Sequence, residues 1–212
     1  MEGSLGVAAI HRCIQSGSWE GLLGDTEMAE LTAAESGPAS STSDSIALLY
    51  ATQILACILA DELSRGKFAF KRCPELSRSH PQVDAAHRLL AALWKDNFDD
   101  FWEVMGTCEW DGSVKPLVDE VERVVRSRLT AAIAAAYESI SVADVARLLG
   151  IPLPSVQALA TAQGWVVGTD GWIEPVSACG APVPEEALFL NDKVHELTHY
   201  VAFLEQHRWG KQ

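Results

Sequence analysis

The sequence predicts a mostly α-helical fold with an N-terminal helical-repeat stack, a winged-helix module carrying a small β-hairpin, and a separate C-terminal helix. Three observations predict it. Short apolar stretches at helical spacing follow one another closely up to residue 112. A long helix, two short helices and a hairpin signal then come in winged-helix order. A proline-containing linker finally precedes one amphipathic helix. The predicted domain boundaries are 1–112, 113–176, 177–186 and 187–212.

The N-terminal region begins with two weak helical patterns, over residues 5–14 and 19–31. A polar, proline-containing stretch, residues 35–44, predicts a loop. Residues 46–63 are apolar on nearly every face. A helix of that composition must be covered on all sides by neighbouring helices. Its most apolar run, residues 46–60, contains Thr52 and Gln53 and falls short of the roughly 20 apolar residues that cross a bilayer, so we interpret the segment as a core helix.

Short helical segments at close spacing follow, over residues 67–72, 82–94 and 98–105. Prolines and an Asp-Asn pair separate them. Pairs of antiparallel helices joined by short turns are typical of helical-repeat stacks. We expect the tryptophans that recur through this region to pack between helices: Trp94, Trp102 and Trp110.

The winged-helix prediction depends on punctuation in residues 118–175. Pro116 fits the first turn of a long helix over residues 118–137, and Ser141 fits the N-cap of a helix over Val142–Leu149. Gly150 supplies the left-handed residue that ends this helix. A second short helix is predicted over residues 155–163, and Asp170-Gly171 predicts the turn of a hairpin within residues 165–173.

The C-terminal helix is predicted over residues 188–206. Its apolar positions are spaced 4-3-4-3, which is the seam of a two-heptad helix: Leu190, Val194, Leu197, Val201 and Leu204. Two interpretations remain open. The helix folds back on its own chain, or it joins a bundle formed with other chains. The linker of residues 177–185 favours the bundle, because it separates the helix from the globule.

Composition limits the classes of partner. The net charge of −13 and the pI of about 4.8 predict repulsion from nucleic-acid backbones and from acidic membranes. Five cysteines, widely spaced and without a Cys-x-x-Cys pair, suit a reducing compartment and argue against a zinc ribbon. The N-terminus lacks the basic region of a secretory signal.

The residues His195-Glu196-Leu197-Thr198-His199 match the H-E-x-x-H motif of zinc peptidases. Helical geometry places both histidines away from the apolar seam, facing water rather than a closed cleft. The third ligand that a catalytic zinc needs is also missing, because Glu205 stands where the extended motif has histidine. We therefore predict no metal site and no catalytic residue here, and keep a zinc peptidase as a remote alternative.

A DNA-binding regulator is a second remote alternative, since winged helices often dock in the major groove. The candidate recognition helix, residues 155–163, contains no Lys or Arg. We therefore predict no detectable binding to duplex DNA.

Two basic clusters have two open interpretations: Arg65, Lys67, Lys71 and Arg72, and later Arg123, Arg126 and Arg128. On the first interpretation they are solvated helix faces paired with nearby acids, and the expected acids are Glu62, Glu75, Glu120 and Glu122. Alternatively they form a contact surface for an acidic neighbour.

Several motifs together resemble the PCI family, whose members are subunits of the proteasome lid, the COP9 signalosome and translation initiation factor three. The resembling stretches run from about residue 48 to residue 205: Phe70-Lys71-Arg72-Cys73-Pro74, Leu93-Trp94-Lys95-Asp96-Asn97-Phe98, Ala135-Ala136-Tyr137-Glu138-Ser139-Ile140, Leu148-Leu149-Gly150, Gln163-Gly164-Trp165 and Leu197-Thr198-His199-Tyr200-Val201-Ala202-Phe203-Leu204-Glu205. Within the family, the likeness is to the signalosome branch.

The resemblance implies a non-catalytic scaffold subunit without a cofactor, located in the cytoplasm and nucleus. Its partners would be other signalosome subunits, in a complex that removes a ubiquitin-like modifier from cullins through another subunit's metal site. The equivalent subunit of the proteasome lid or of initiation factor three is the alternative. Lateral association through the wing and a C-terminal helical bundle would make these residues partner-binding: Trp165, Val167, Trp172, Ile173, Leu190, Val194, Leu197, Val201 and Leu204.

Overall fold

The computed structural model describes Ile10, Cys13 and residues 17–36, 43–168 and 171–175. This part of the chain is mostly helical and ends in a small antiparallel sheet. In chain order the elements are α1 (Trp19–Ser36), α2 (Ser43–Leu59), α3 (Leu63–Arg72), α4 (Glu75–Arg78), α5 (Pro81–Trp94), α6 (Phe98–Thr107), α7 (Lys115–Ala136), β1 (Ile140–Ser141), α8 (Val142–Leu149), α9 (Leu153–Ala162), β2 (Val166–Val167) and β3 (Trp172–Glu174). The predicted order of helices, two short helices and a hairpin is confirmed.

Helix α2 is the centre of the N-terminal helical layer. Every residue from 51 to 59 is buried, and helices α1, α3, α4, α5 and α7 all contact α2. The prediction of a core helix covered on all faces is therefore confirmed. The predicted end at residue 63 is wrong. Asp61 adopts a left-handed conformation (φ 63°) and the Glu62 N–H donates to the Cys57 carbonyl at 2.9 Å, which ends the helix at Leu59.

Other helix boundaries differ from the predicted ones by a few residues. Helix α1 reaches Ser36 and α2 begins at Ser43, so both ends of the predicted 35–44 loop are helical. Helix α3 begins at Leu63, one turn before the predicted start. The single-turn helix α4 was not predicted, because four residues after Pro74 are too short to show a period.

The three tryptophans of the helical layer do not share one environment. Trp102 and Trp110 pack against the main apolar cluster, as predicted. The expectation that Trp94 packs in the core is wrong, because its side chain at the C-terminal end of α5 is 51% exposed. Leu89 and Leu90 of α5 face inward, whereas Trp94, one turn after Leu90, is the last residue of the helix and is exposed.

Helix α7 belongs to both parts of the described chain. The larger apolar cluster extends from Ile10 to Val125, a second cluster runs from Ile133 to Ile173, and Leu129 packs against both. Two arginines of α7 cap other helices. Arg126 Nε donates to the Leu149 carbonyl of α8 at 3.0 Å, and Arg128 Nη1 donates to the Ile58 carbonyl of α2 at 2.9 Å. The domain boundary at residues 112 and 113 stays a prediction.

The turn between α8 and α9 packs closely on α6. Gly150 ends α8 in a left-handed conformation (φ 60°), and a Cβ at this position would lie 2.3 Å from the Trp102 ring. Trp102 Nε1 donates to the Leu148 carbonyl at 2.9 Å, and the Arg126 guanidinium lies 4.8 Å from the Trp102 ring centroid. The absence of a side chain at Gly150 is therefore what allows the winged helix to approach the helical layer this closely.

The winged-helix module follows the predicted punctuation. Ser141 caps α8, since its Oγ accepts from the Asp144 N–H at 3.1 Å, and Gly164 follows α9 with φ 71°. The predicted hairpin is the β2–β3 pair. Strand β1 pairs with β3 as well, so the sheet has three strands in the order β1-β3-β2. Strand β2 therefore lies at one edge of the sheet.

Candidate protein interface

Two of the predicted partner-binding residues hold the wing on its own module. The Trp165 and Ile173 side chains are 6% and 0% exposed and belong to the second apolar cluster, beside Val145 and Val156. The Trp165 N–H also donates to the Ala160 carbonyl at the end of α9, at 2.8 Å. Their side chains are thus committed to the module's own core. They can therefore contribute to partner binding only by positioning the backbone of the wing.

Among the described residues, no strand pairs with the outer side of β2 at Val167. Val166 is opposite Glu174 and Val167 is opposite Ile173, while the Gly168 N–H donates to the Trp172 carbonyl at 2.8 Å. Hydrogen-bonded and non-hydrogen-bonded pairs alternate along an antiparallel ladder. The 168–172 pair is hydrogen-bonded, so Val167 occupies the alternate position and its N–H and C=O point away from β3. Main-chain groups at an open edge are a template for an additional strand.

The outer face of the sheet carries apolar side chains next to this edge. Val166 is 56% exposed and Trp172 is 48% exposed, whereas Ile173, which follows Trp172 in β3, points to the other face of the sheet and is buried. Val166 was not among the predicted site residues. The alternation Trp165-in, Val166-out contains the signal that would have found it. A partner strand added at Val167 would therefore meet an apolar surface formed by Val166 and Trp172.

The other predicted partner-binding residues lie outside the described part of the chain: Leu190, Val194, Leu197, Val201 and Leu204. The same holds for His195, Glu196 and His199 of the H-E-x-x-H motif. These predictions stay predictions. Within residues 17–36, 43–168 and 171–175, no three His, Cys, Asp or Glu side chains come together in a way that could hold a metal ion.

The arginines of the two basic clusters are paired within the chain. Arg65 forms two hydrogen bonds with Glu27 at 3.0 and 2.9 Å, and Arg72 forms two with Glu30 at 2.8 and 2.9 Å. The expected partners Glu62 and Glu75 are therefore wrong for this cluster, because α1 packs beside α2 and presents its own carboxylates instead. In the second cluster Arg123 pairs with Glu120 and Arg126 with Glu122, as expected.

Glu30 connects three helices. Besides Arg72 of α3 it accepts hydrogen bonds from the Tyr50 hydroxyl at 3.1 Å and from Gln53 Nε2 at 3.2 Å, both on α2. The Arg72 hydrogen bonds hold the pKa of Glu30 below its ordinary value, against the opposing effect of burial. Burial and the Glu30 charge raise the pKa of Tyr50 to about 12. This network fixes α1 on the helical layer.

The buried cysteines are poorly suited to nucleophilic chemistry. Burial raises the pKa of Cys57 to about 12 and that of Cys73 to about 11, and it also raises the pKa of Cys108. A thiol with a raised pKa contributes almost no thiolate near neutral pH. These side chains serve packing, in agreement with their position in the apolar cluster.

No single helix among the described residues is long and apolar enough to cross a bilayer. Helices α8 and α9 meet the length and composition criterion only as a pair, with a bend of 93° between them. Their buried side chains form the core of the winged helix, which accounts for the apolar composition of the pair.

Known proteins are similar to this chain along about three quarters of its length. A COP9 signalosome complex subunit 8 of Xenopus tropicalis is 26% identical over 158 residues, which cover 73% of this chain and 80% of that protein. Proteins of the same name from Arabidopsis thaliana and Danio rerio are 26% and 24% identical, each over 74% of this chain and over 79% and 82% of their own lengths. The profile of the CSN8/PSMD8/EIF3K family matches residues 45–180, from the start of the central buried helix to just beyond the wing. The chain, with its helical layer and winged helix, belongs to the CSN8/PSMD8/EIF3K family.

Proposed function

We propose that this chain is a non-catalytic structural subunit of a COP9 signalosome. The observation that carries the proposal is the similarity, along about three quarters of the chain, to proteins named COP9 signalosome complex subunit 8 from two vertebrates and a plant. The family name also covers PSMD8 and EIF3K. The equivalent subunit of the proteasome lid or of initiation factor three is therefore the second candidate, which these relatives' names disfavour.

Assembly would use two elements. The open main chain at Val167, beside the exposed Val166 and Trp172 side chains, suits addition of a strand from a neighbouring PCI subunit. The predicted C-terminal helix would place Leu190, Val194, Leu197, Val201 and Leu204 in a bundle with other subunits. On this proposal the isopeptidase site that acts on modified cullins belongs to another subunit. The raised pKa values of Cys57 and Cys73 accord with a chain that supplies no nucleophile. Location in the cytoplasm and nucleus is part of the same proposal, and fluorescence microscopy of the tagged chain tests it.

The first experiment is native mass spectrometry of material captured from cell extract on the tagged chain. We compare the full-length chain with a version that ends at Val176. A multi-subunit assembly on the full-length chain alone supports the proposal and assigns docking to the C-terminal helix. Identical assemblies on both versions support the proposal and assign docking to the winged helix. Capture of no other subunit by either version contradicts the proposal.

Two sets of variants separate the two docking elements. Val167→Pro removes the outward N–H of β2 and should lower incorporation, because the edge can then accept but no longer donate to an added strand. Val167→Thr keeps the N–H and the branched shape, so it should incorporate normally. Replacing Val194, Leu197 and Val201 with Asp should abolish incorporation through the bundle. Normal incorporation of the Val167→Pro variant and of the Asp variant, with circular dichroism showing folded protein, would contradict both docking assignments.

A further inference from the structure

A second surface of the described chain carries exposed aromatic rings. Phe68 on α3 is 57% exposed and Trp94 at the end of α5 is 51% exposed. Large exposed aromatic side chains are enriched at protein interfaces, where they supply much of the binding energy. We call this region, formed by Lys67, Phe68, Lys71, Trp94 and Lys95, the lysine–aromatic surface.

The lysines of this surface have no acidic partner in the described part of the chain. Lys67 Nζ lies 5.0 Å from the Trp94 ring centroid and Lys71 Nζ lies 5.5 Å from that of Phe68. No described carboxylate forms an ion pair with Lys67, Lys71 or Lys95. The arginines of the same helix, Arg65 and Arg72, are both paired. In a chain with 29 acidic residues and a net charge of −13, three neighbouring exposed lysines that form no ion pair among the described residues make a local positive site.

A small cavity opens between Lys67 and Lys95. It has a volume of about 130 Å³ and is lined by Lys67, His87, Leu90, Ala91, Trp94 and Lys95. An apolar cavity of roughly 150 Å³ accommodates a benzene molecule, so this one suits a single apolar side chain. His87 stacks on Phe70 with ring centroids 3.7 Å apart, and burial lowers its pKa, which favours the neutral form. The cavity is thus apolar within and positively charged at its rim.

We propose that the lysine–aromatic surface binds a short acidic segment of a partner protein, with one apolar side chain in the cavity and the flanking carboxylates on Lys67, Lys71 and Lys95. The combination of a cavity and charges selects this occupant. Duplex nucleic acid offers charge without an apolar side chain to fill the cavity. The surface uses α3 and α5 rather than the wing, so the inference stands independently of the proposed function.

The test uses the purified full-length chain and fluorescein-labelled peptides of the form Glu-Asp-Φ-Asp-Glu, in which Φ is Leu, Met, Phe or Trp. Fluorescence anisotropy should show saturable binding of at least one peptide. Replacing the acids of that peptide with Gln and Asn should weaken binding about tenfold or more, as expected when three surface ion pairs are lost. Replacing Φ with Gly should also weaken binding.

Protein variants then locate the site. The triple variant K67Q/K71Q/K95Q should lose about tenfold in affinity, since each change removes one exposed cation. Trp94→Ala should weaken binding through loss of the cavity wall. The matched control is Lys115→Gln, which removes an exposed lysine on α7 that pairs with Asp119, and it should bind like the parent.

Three outcomes would overturn the proposal. They are saturable binding by none of the four peptides up to 1 mM (roughly the weakest affinity worth a specific assignment), unchanged binding by the folded triple variant, and tighter binding of a duplex DNA probe that the triple variant abolishes. The last outcome would assign the surface to nucleic acid.

Discussion

Replacement of Gly150 with Ala tests the junction between the winged helix and the helical layer. The new Cβ would lie 2.3 Å from Trp102 Cγ and 2.4 Å from Trp102 Cδ2, so the ring must move. Moving it breaks the hydrogen bond from Trp102 Nε1 to the Leu148 carbonyl and separates the ring from Arg126. The Ala residue is also held at φ 60°, in the left-handed region.

The magnitude follows from three contributions. A left-handed Ala costs about 1–2 kcal/mol relative to Gly. Loss of a hydrogen bond costs about 1 kcal/mol, and loss of a partly exposed cation–π contact costs about 0.5–1 kcal/mol. We therefore expect G150A to lower the free energy of unfolding by about 3 kcal/mol, which urea denaturation of the full-length chain measures.

The chain provides a matched control at Gly164. This residue also follows a helix with a left-handed backbone (φ 71°), but no atom outside its immediate neighbours lies within 4 Å of its ideal Cβ. Gly164→Ala should therefore lose only the left-handed contribution, about 1–2 kcal/mol. The difference between the two variants isolates the Trp102 contact. Equal losses for G150A and G164A would refute the argument that Gly150 is required by close approach to Trp102.

Three further predictions follow from the helical layer. Gly66→Ala should destabilise the chain by about 1–2 kcal/mol, because its Cβ would lie 3.0 Å from Leu90 Cδ1 and 3.2 Å from Cys57 Cβ. Gly106→Ala, with open space around the new Cβ, should stabilise the chain by about 0.5–1 kcal/mol. Thermal denaturation compares the two variants, and a stabilising G66A would contradict the packing of α3. Because the pKa of Glu30 is lowered, its carboxyl group binds a proton less readily in the folded chain than in the unfolded chain. The stability that the Glu30 network contributes is therefore present above the ordinary carboxyl pKa and is lost as pH falls through the folded pKa. Glu30→Gln should flatten the pH dependence of the free energy of unfolding below about pH 5, and an unchanged dependence would contradict the role of Glu30 in the network. Cys57 and Cys73 should resist iodoacetamide at pH 8 in the folded chain and react after denaturation, whereas Cys108, which is less buried, should react before them. Peptide mass spectrometry measures the labelling, and rapid labelling of Cys57 in folded protein would contradict its burial.

The sequence was most informative where a local rule acts. Ser141 and Gly150 define α8 at both ends because capping depends on residues next to each other in the chain. The same reasoning predicted the hairpin from Asp170-Gly171. The third strand, Ile140–Ser141, was not predicted as part of the sheet, because two residues show no alternation and its pairing with β3 is a long-range contact.

The candidate sites show the same limit. Trp94 was expected inside and is half exposed, since residue type alone does not tell where a helical layer ends. The partners of Arg65 and Arg72 were sought nearby in sequence, yet Glu27 and Glu30 lie about 40 positions earlier, on a helix brought alongside only by tertiary packing. Because Arg65 and Arg72 pair with α1, Lys67 and Lys71 of the same predicted cluster belong to a separate surface. Sequence patterns predicted the basic cluster, and only the fold divides it.

The helix caps made by Arg126 and Arg128 have a consequence for how freely this sequence can diverge. Both guanidinium groups reach main-chain carbonyls, at Leu149 and at Ile58 and Leu59. A carbonyl is present whichever side chain its residue carries, so substitutions at the accepting positions leave these links intact as long as the helix ends where it does. The two arginines thus add links between α7 and the ends of α2 and α8 to the apolar packing that places these helices. A chain with other side chains at the accepting positions therefore keeps both links, provided that the two arginines remain.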